Sequence, residues 1–450
     1  MKGLGLRGLS RNIGATFGRQ VFAAILNLLT VVLIARVYGP EGNGAFAVAL
    51  LLPTMLASFL NLGVAPANVY FLGSNQVTVR DLLRANARIF LWLGTLGSLF
   101  GAGLLVWNAS GIFPGISPLI LWFALAIFPI SLLNSYLHSV FQGLQQFKPY
   151  NLLAILQPFM LLLFVAGLTL VGNRELAFLV GAQFISQLVV LGLTLRWLGP
   201  FLGPKAGAES TTGIAKKTLS YGWKAHLSNI LAFVNYKADV FLVNFFMGPA
   251  AVGVYVIAVA MSEKLWLMSQ AVSTVLLPRL SQLSSDEAKR KTLTPLIARW
   301  VLLATLIAAL TLAAVAHWLI IWIFGTEYSG ALLPLWILLP GIVFGAASRV
   351  LANDIAARGH PEWNMYTSFA VVTVNVVGNI LLIPEYGLVG AAAATTIAYT
   401  LNLVLRLWIY GRFSGNRWME SVFVQVADVR MAREMVLLAR KNPSIGVVKP

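Results

Sequence analysis

Cysteine is absent from all 450 residues, which excludes disulfides and thiolate metal sites. Charge is scarce: 10% of the residues are Asp, Glu, Lys or Arg, against about 25% in soluble domains. Acidic residues are scarcer still, 15 against 32 Lys and Arg, and they form no Asp-rich cluster for a catalytic metal. His138, His226 and His317 are scattered without metal-ligand spacing. No Gly-x-x-x-x-Gly-Lys-Ser/Thr loop is present, which argues against ATP hydrolysis. These absences point away from an enzyme: no catalytic residue, cofactor or metal is expected. No small-residue cleavage site ends the first apolar run, so that run is expected to be a retained span.

What fills the chain is hydrocarbon: 58% of the residues are hydrophobic and the mean hydropathy is +0.81. Lipid is the solvent that accommodates such a composition. The net charge of +17 is not that of a nucleic-acid binder, because no polar basic domain carries it. Lys and Arg instead flank apolar runs, as topology signals do. Twelve runs are legible, at 13–37, 44–72, 85–107, 118–141, 152–171, 176–198, 218–247, 250–277, 296–324, 332–357, 365–383 and 388–410. They are called spans one to twelve below. Each is long enough to cross about 30 Å of hydrocarbon as a helix. With the N-terminus inside, the inner segments hold Lys2, Arg7, Arg11, Arg80, Arg84, Lys148, Lys205, Lys216, Lys217, Arg279, Lys289, Arg290 and Lys291, and the outer loops only Arg36 and Arg174. Both termini are therefore expected in the cytoplasm.

The chain repeats itself. Gly39-Pro40-Glu41-Gly42-Asn43-Gly44-Ala45-Phe46 returns as Gly248-Pro249-Ala250-Ala251-Val252-Gly253-Val254-Tyr255, both reading Gly-Pro-x-x-x-Gly-x-aromatic at an offset of 209. Leu179-Val180-Gly181-Ala182 returns as Leu388-Val389-Gly390-Ala391 at the same offset. Gly143, Phe147 and Tyr150 match Gly359, Trp363 and Tyr366 at an offset of 216, which implies seven extra residues between spans five and six of the first half. Glycine before proline suits a left-handed cap followed by a residue that cannot continue the helix, and the later glycine allows close packing of the returning helix. The reading is all-α, about 12 transmembrane helices in two parallel-repeat six-helix lobes around a central cavity. The lobes are 1–198 and 218–411, joined by a cytoplasmic linker at 199–217. In the tail, 412–450, Met419, Val422, Phe423, Val426 and Val429 share one face opposite Gln425, Asp428 and Arg433, which predicts an amphipathic interfacial helix.

Charges inside apolar spans are costly and are functional candidates by default. Lys237 and Asp239 lie in span seven, Glu263 and Lys264 in span eight. Lys237 is thirteen residues before Ala250 and Lys264 fourteen after it, so both lie about 20 Å from the outer surface at 1.5 Å per residue. Their first-half counterparts are Leu28, Thr30, Thr54 and Met55. Symmetric folding therefore does not require the charges. Two readings stand: structural pairs, Lys237 with Glu263 and Lys264 with Asp239, or an anion site in which the carboxylates hold the lysines. A second basic set, Arg19 and Lys224 with Arg349 deeper, either lines a cavity or snorkels to headgroups. Asn61, Asn68, Tyr70, Asn134, Tyr136, Gln157, Gln187, Asn229, Asn235 and Tyr236 suit interhelical hydrogen bonds or a polar cleft. Pro53, Pro66, Pro129, Pro158 and Pro340 imply kinked helices.

The stretch Ala35-Arg36-Val37-Tyr38-Gly39-Pro40-Glu41-Gly42-Asn43-Gly44 resembles the opening of the polysaccharide transporters, the O-antigen and teichoic-acid flippase family of the multidrug/oligosaccharidyl-lipid/polysaccharide flippase superfamily. Asp239 through Pro249, followed by Val252-Gly253-Val254-Tyr255, is similar to that family's second-half signature. The similarity runs over almost the whole chain. It implies a two-lobed, MATE-like fold and the flipping of an undecaprenyl-pyrophosphate-linked oligosaccharide from the cytoplasmic to the periplasmic leaflet of a bacterial inner membrane. It also implies membrane lipid and polysaccharide-assembly proteins as partners. In such cavities cations hold the pyrophosphate, a role that would fall here to Arg19, Lys224, Lys237, Lys264 or Arg349, with Asp239 and Glu263 as charge partners. The alternatives are a multidrug/cation antiporter, using Asp239 or Glu263, and a membrane polysaccharide polymerase or glycosyltransferase. The matched lysines weigh against the first. The very short outer loops weigh against the second.

Overall fold

A computed structural model of the chain describes residues 6–202, 211–283, 286–423, 425 and 428, with side chains except at 6–17, 211, 212, 224, 225 and 278. Among the described residues all regular structure is helical. The helices are α1 (Leu6–Leu60), α2 (Val64–Gly73), α3 (Val79–Ile112), α4 (Pro118–Leu125), α5 (Ile127–Gly143), α6 (Phe147–Leu170), α7 (Leu176–Leu198), α8 (Thr211–Met247), α9 (Pro249–Glu263), α10 (Trp266–Gln282), α11 (Glu287–Leu319), α12 (Leu332–Ala357), α13 (Pro361–Ser414) and α14 (Trp418–Val422).

Nine of the described helices are long and apolar enough to cross a membrane. A straight 54-residue α13 would run about 80 Å, far beyond the hydrocarbon thickness. It divides at Gly387, φ 57°, as α1 divides at Gly39, φ 66°. Splitting both, and counting the bent pair α9 and α10 as one crossing, gives the twelve spans expected. The protein is a multi-pass membrane protein. Pro66 and Pro129 fall in the first turns of α2 and α5, just past breaks in spans two and four, whereas Pro53, Pro158 and Pro340 sit inside continuous helices.

The chain forms two compact units. The first holds Met1–Ala258, His317–Pro334 and Val376–Ala391; the second holds Val259–Ala316, Leu335–Asn375 and Ala392–Pro450. In the first unit Ile34, Phe46, Ala124, Ile127 and Val180 build an apolar core. Several of the amides join helices: Asn134 Nδ2 donates to Gln187 Oε1 at 2.9 Å, Asn68 Nδ2 to Ser139 Oγ at 2.9 Å and Asn61 Nδ2 to Ser135 Oγ at 3.0 Å.

The two Gly-Pro motifs touch each other. A Cβ on Gly44 would overlap the Pro249 carbonyl oxygen, and one on Gly253 would overlap the Pro40 carbonyl oxygen. Asn43 Nδ2 donates to Gly253 O at 3.1 Å. Gly248, at φ 83°, takes the left-handed conformation as Gly39 does. The turn joining spans one and two and the turn joining seven and eight therefore lie at the same end of the molecule. Beside them Arg36 donates from Nε to Ile323 O at 2.9 Å and from a terminal nitrogen to Trp322 O. It caps the carbonyl end of α11 and its π turn (Ile320–Phe324), where a cation is favoured.

The third repeat match shifts. Leu144, Gln145 and Gln146 donate to the carbonyls of Val140, Gln142 and Phe141, and Arg358, Gly359 and His360 donate to those of Asp354, Ala356 and Ile355. The two turns correspond at an offset of 214, not 216. Gln145, φ 56°, fills the left-handed position that Gly359, φ 87°, fills in the second half. Since Gly181 and Gly390 differ by 209, the first half carries five extra residues rather than seven. They fall at 171–175, where α6 joins α7, opposite the single kink at Gly387.

In the second unit the ends of α11 and α12 meet around Asp354, which is fully buried. Its carboxylate takes Arg290 at 3.3 Å, Arg358 Nε at 2.8 Å and the Thr294 hydroxyl at 3.2 Å, while Arg358 also pairs with Glu287 at 2.8 Å. Burial alone would lower the Arg358 pKa; Asp354 and Glu287 outweigh it and hold it above its ordinary value. The predicted amphipathic helix of the tail is interrupted. α14 stops at Val422, and Phe423 is extended. Asp428, expected on the polar face, is helical but buried, and pairs with Arg299 at 2.7 Å; a buried carboxylate needs its cation. Val426, Val429 and Arg433 lie outside the described residues.

Candidate functional site

The second half of span two packs along α8. Gly63, φ 71°, and Gly222 meet so closely that a Cβ on either would overlap the other's backbone. Tyr70 and Tyr221 stack at 4.5 Å, and a His226 ring nitrogen lies 2.8 Å from Phe59 O. Toward the Gly-Pro end, Phe59 meets Phe233 edge-on at 5.6 Å and Phe113 meets Phe241 edge-on at 5.9 Å. These contacts leave a hollow of about 160 Å³. Leu51, Leu52, Met55 and Phe59 form one wall, and Phe233, Val234, Ala238 and Phe241 the other, with Phe113 closing an end. Among the described residues Lys237 is the one charged residue on its lining. A larger groove of about 480 Å³ between α11 and α12 has an entirely apolar lining, including Leu310, Trp336 and Phe344.

Asp239 lies two residues after Lys237, about 200° around the helix, and is buried. Its carboxylate accepts from Tyr255 Oη at 2.9 Å and from the Val240 amide at 2.7 Å. Tyr255 is the aromatic of the second Gly-Pro motif, so the motif braces a carboxylate that the first half replaces with Thr30. Glu263 and Lys264 belong to the second unit. Lys264 is exposed, at the break between α9 and α10. The four charges are thus divided between units, Lys237 and Asp239 in the first.

Arg19 lies over the Tyr150 ring at 5.2 Å, with its Nε buried and without a hydrogen-bond partner. His138 Nε2 is likewise buried and unpartnered. Lys224 falls on α8, its side chain outside the described ones. In the second unit Arg349 lies over the Trp266 ring at 5.3 Å, and Trp266 Nε1 donates to Ile342 O at 3.0 Å. Arg19 and Arg349 each hold an aromatic face, a contact that favours a cation where water is scarce. The aromatic walls around Lys237 escaped sequence reasoning. Four phenylalanines drawn from spans two and seven and from the segment after α3 carry no local pattern that joins them.

A family model described as polysaccharide biosynthesis protein matches residues 9–284. The chain is 24% identical over 415 residues to a putative O-antigen transporter of Shigella flexneri, covering 84% of this chain and 92% of that protein. It is 25% identical over 214 residues to a probable low-salt glycan biosynthesis flippase, Agl15, of Haloferax volcanii, a match that takes in 46% of this chain and 44% of that protein. Among solved structures, the lipid II flippase MurJ in an inward closed conformation aligns with a TM-score of 0.70 at 15% identity, over 96% of this chain and 93% of that one. An inward-facing multidrug resistance MATE family transporter of the MOP superfamily aligns with a TM-score of 0.67 at 15% identity, over 87% and 95%. The fold is the one shared by MurJ and the MATE transporters, and the chain, matched over more than half its length, belongs to the polysaccharide biosynthesis protein family.

Proposed function

We propose that this chain is a carrier, not an enzyme, that flips an undecaprenyl-pyrophosphate-linked oligosaccharide from the cytoplasmic to the periplasmic leaflet of a bacterial inner membrane. The observation that carries the reading is Lys237: a cation on an apolar hollow within the spans suits a substrate with an anionic head and a hydrocarbon tail. Family membership and the names of the relatives support it. In this reading 1–198 and 218–411 are two parallel six-helix lobes joined by 199–217, both termini are cytoplasmic, and the Gly-Pro turns face the periplasm. Arg19, Lys224 and Arg349 recruit the phosphates, and Lys237 and Lys264 bind them in transit, with Asp239 and Glu263 as their charge partners. The membrane potential favours this direction: two negative charges moving outward from an inside-negative cell gain roughly 4–5 kcal/mol per 100 mV.

The test replaces Lys237 and Lys264 by Gln, singly and together, in a strain lacking its own flippase, at matched membrane abundance. A charge-assisted contact contributes about 1.5–3 kcal/mol, so each single variant loses roughly tenfold or more in export of lipid-linked sugar. Normal export by the double variant would overturn the site assignment. Export of cationic dyes instead of lipid-linked sugar would favour the antiporter.

A further inference from the structure

The lining around Lys237 says which part of a lipid-linked sugar it can hold. Apart from Lys237, every described lining residue is apolar, and four are phenylalanines. Such walls offer a sugar hydroxyl no hydrogen-bond partner, and burying hydroxyls unpartnered is unfavourable. The aromatic faces are fixed by their own pairing, Phe59 with Phe233 and Phe113 with Phe241, so the shape is preformed. The hollow is small, about 160 Å³, too small for an oligosaccharide and wide enough for a short stretch of branched hydrocarbon. Lys237 lines it with its aliphatic stem and is itself exposed, so its charge sits beside the hollow rather than in it. A cation beside preformed apolar walls matches the junction of an amphiphile, where charge gives way to hydrocarbon.

We infer that this hollow binds the phosphate–prenyl junction of the substrate: Lys237 pairs with the phosphate nearest the lipid, and the phenylalanine walls take the first isoprene units. The inference rests on the flippase reading and adds to it. Recognition at this position is of the lipid carrier, while the sugars occupy some other part of the protein. A chain built this way accepts different sugars on one prenyl pyrophosphate and rejects the same sugars on a carrier without it.

The test uses the full chain purified in detergent, with farnesyl pyrophosphate, inorganic pyrophosphate and farnesol as probes, and binding read by calorimetry. Farnesyl pyrophosphate is expected to bind roughly tenfold or more tighter than either partial probe. Lys237→Gln is expected to remove its advantage over farnesol. Phe233→Ala or Phe241→Ala is expected to remove its advantage over inorganic pyrophosphate while leaving pyrophosphate affinity unchanged. Should either alanine variant melt early without ligand, the corresponding Phe233→Leu or Phe241→Leu, which keeps more of the volume and loses the ring, replaces it. Equal affinities for farnesyl and inorganic pyrophosphate, or farnesyl pyrophosphate binding indifferent to Lys237→Gln, overturn the inference. Failure of this site and failure of the flippase reading are separable. A chain that restores export in a flippase-deficient strain but shows no prenyl preference loses the junction site alone. One with the predicted preference and no export keeps the site and loses the transport reading.

Discussion

Spans two and seven meet through glycines and aromatic rings, whereas α11 and α12 meet around Asp354 and the charged side chains that surround it. The two regions hold helices together by opposite means. At Gly63 and Gly222 the backbones touch with no side chain between them, and the contact is dispersion and shape. Lipid tails offer much the same surroundings, so parting such a seam forfeits mainly packing, with the contact of His226 to Phe59 O beside it. At Asp354 each bond has a direction and a partner, and separation leaves a buried charge alone. The ion knot is fixed by what its loss would expose. The seam is fixed mainly by how well its surfaces fit. A carrier needs both kinds of contact, and the hollow with its single lysine lies in the seam that is easier to part.

The contrast can be broken most forcefully at the knot. Asp354→Ala leaves Arg290 and Arg358 without their shared carboxylate and is expected to cost about 3–5 kcal/mol, seen as loss of monodisperse protein and a lowered melting temperature. Wild-type melting would mean that the charges hold nothing. A smaller effect is expected where the Gly-Pro motifs meet. Gly253→Ala drives a methyl group into the Pro40 carbonyl, and overpacking of this kind costs about 1–3 kcal/mol. Unchanged melting there would show that this contact readily gives way. Smallest of all is Gly181→Ala. Nothing lies within 4 Å of the added carbon, so the helix gains at most about 1 kcal/mol from the better helix former. A marked loss at Gly181 would mean that its surroundings are tighter than the structure shows.

The fold was legible because lipid imposes a length on every span and glycine imposes a shape on the Gly-Pro turns. Both constraints are written locally. The reading slipped where identity and conformation part company. Gly143 invited a match with Gly359, yet Gln145 takes the left-handed turn, and a non-glycine residue at φ 56° is invisible in sequence. Asp354 went unnoticed because Arg290 is 64 residues away; only its spacing of four from Arg358 hinted at a pair. Asp428 misled because helical periodicity is counted along one segment, while its partner Arg299 sits on another. Lys237 was found from its cost in lipid. Its aromatic walls were not, because they come from spans and loops distant in sequence.

The mutual contact of the two Gly-Pro motifs has one more consequence. Gly44 reaches Pro249 and Gly253 reaches Pro40, so residue i touches residue j and the copy of i touches the copy of j. Two identical subunits make this pattern across a two-fold axis. Here it occurs inside one polypeptide, as a homodimer interface would look after its genes had been fused. Each copy of the motif is also the other's binding partner. A substitution in one therefore meets its selective test in the other, and a chimera that exchanges only one half inherits half of an interface.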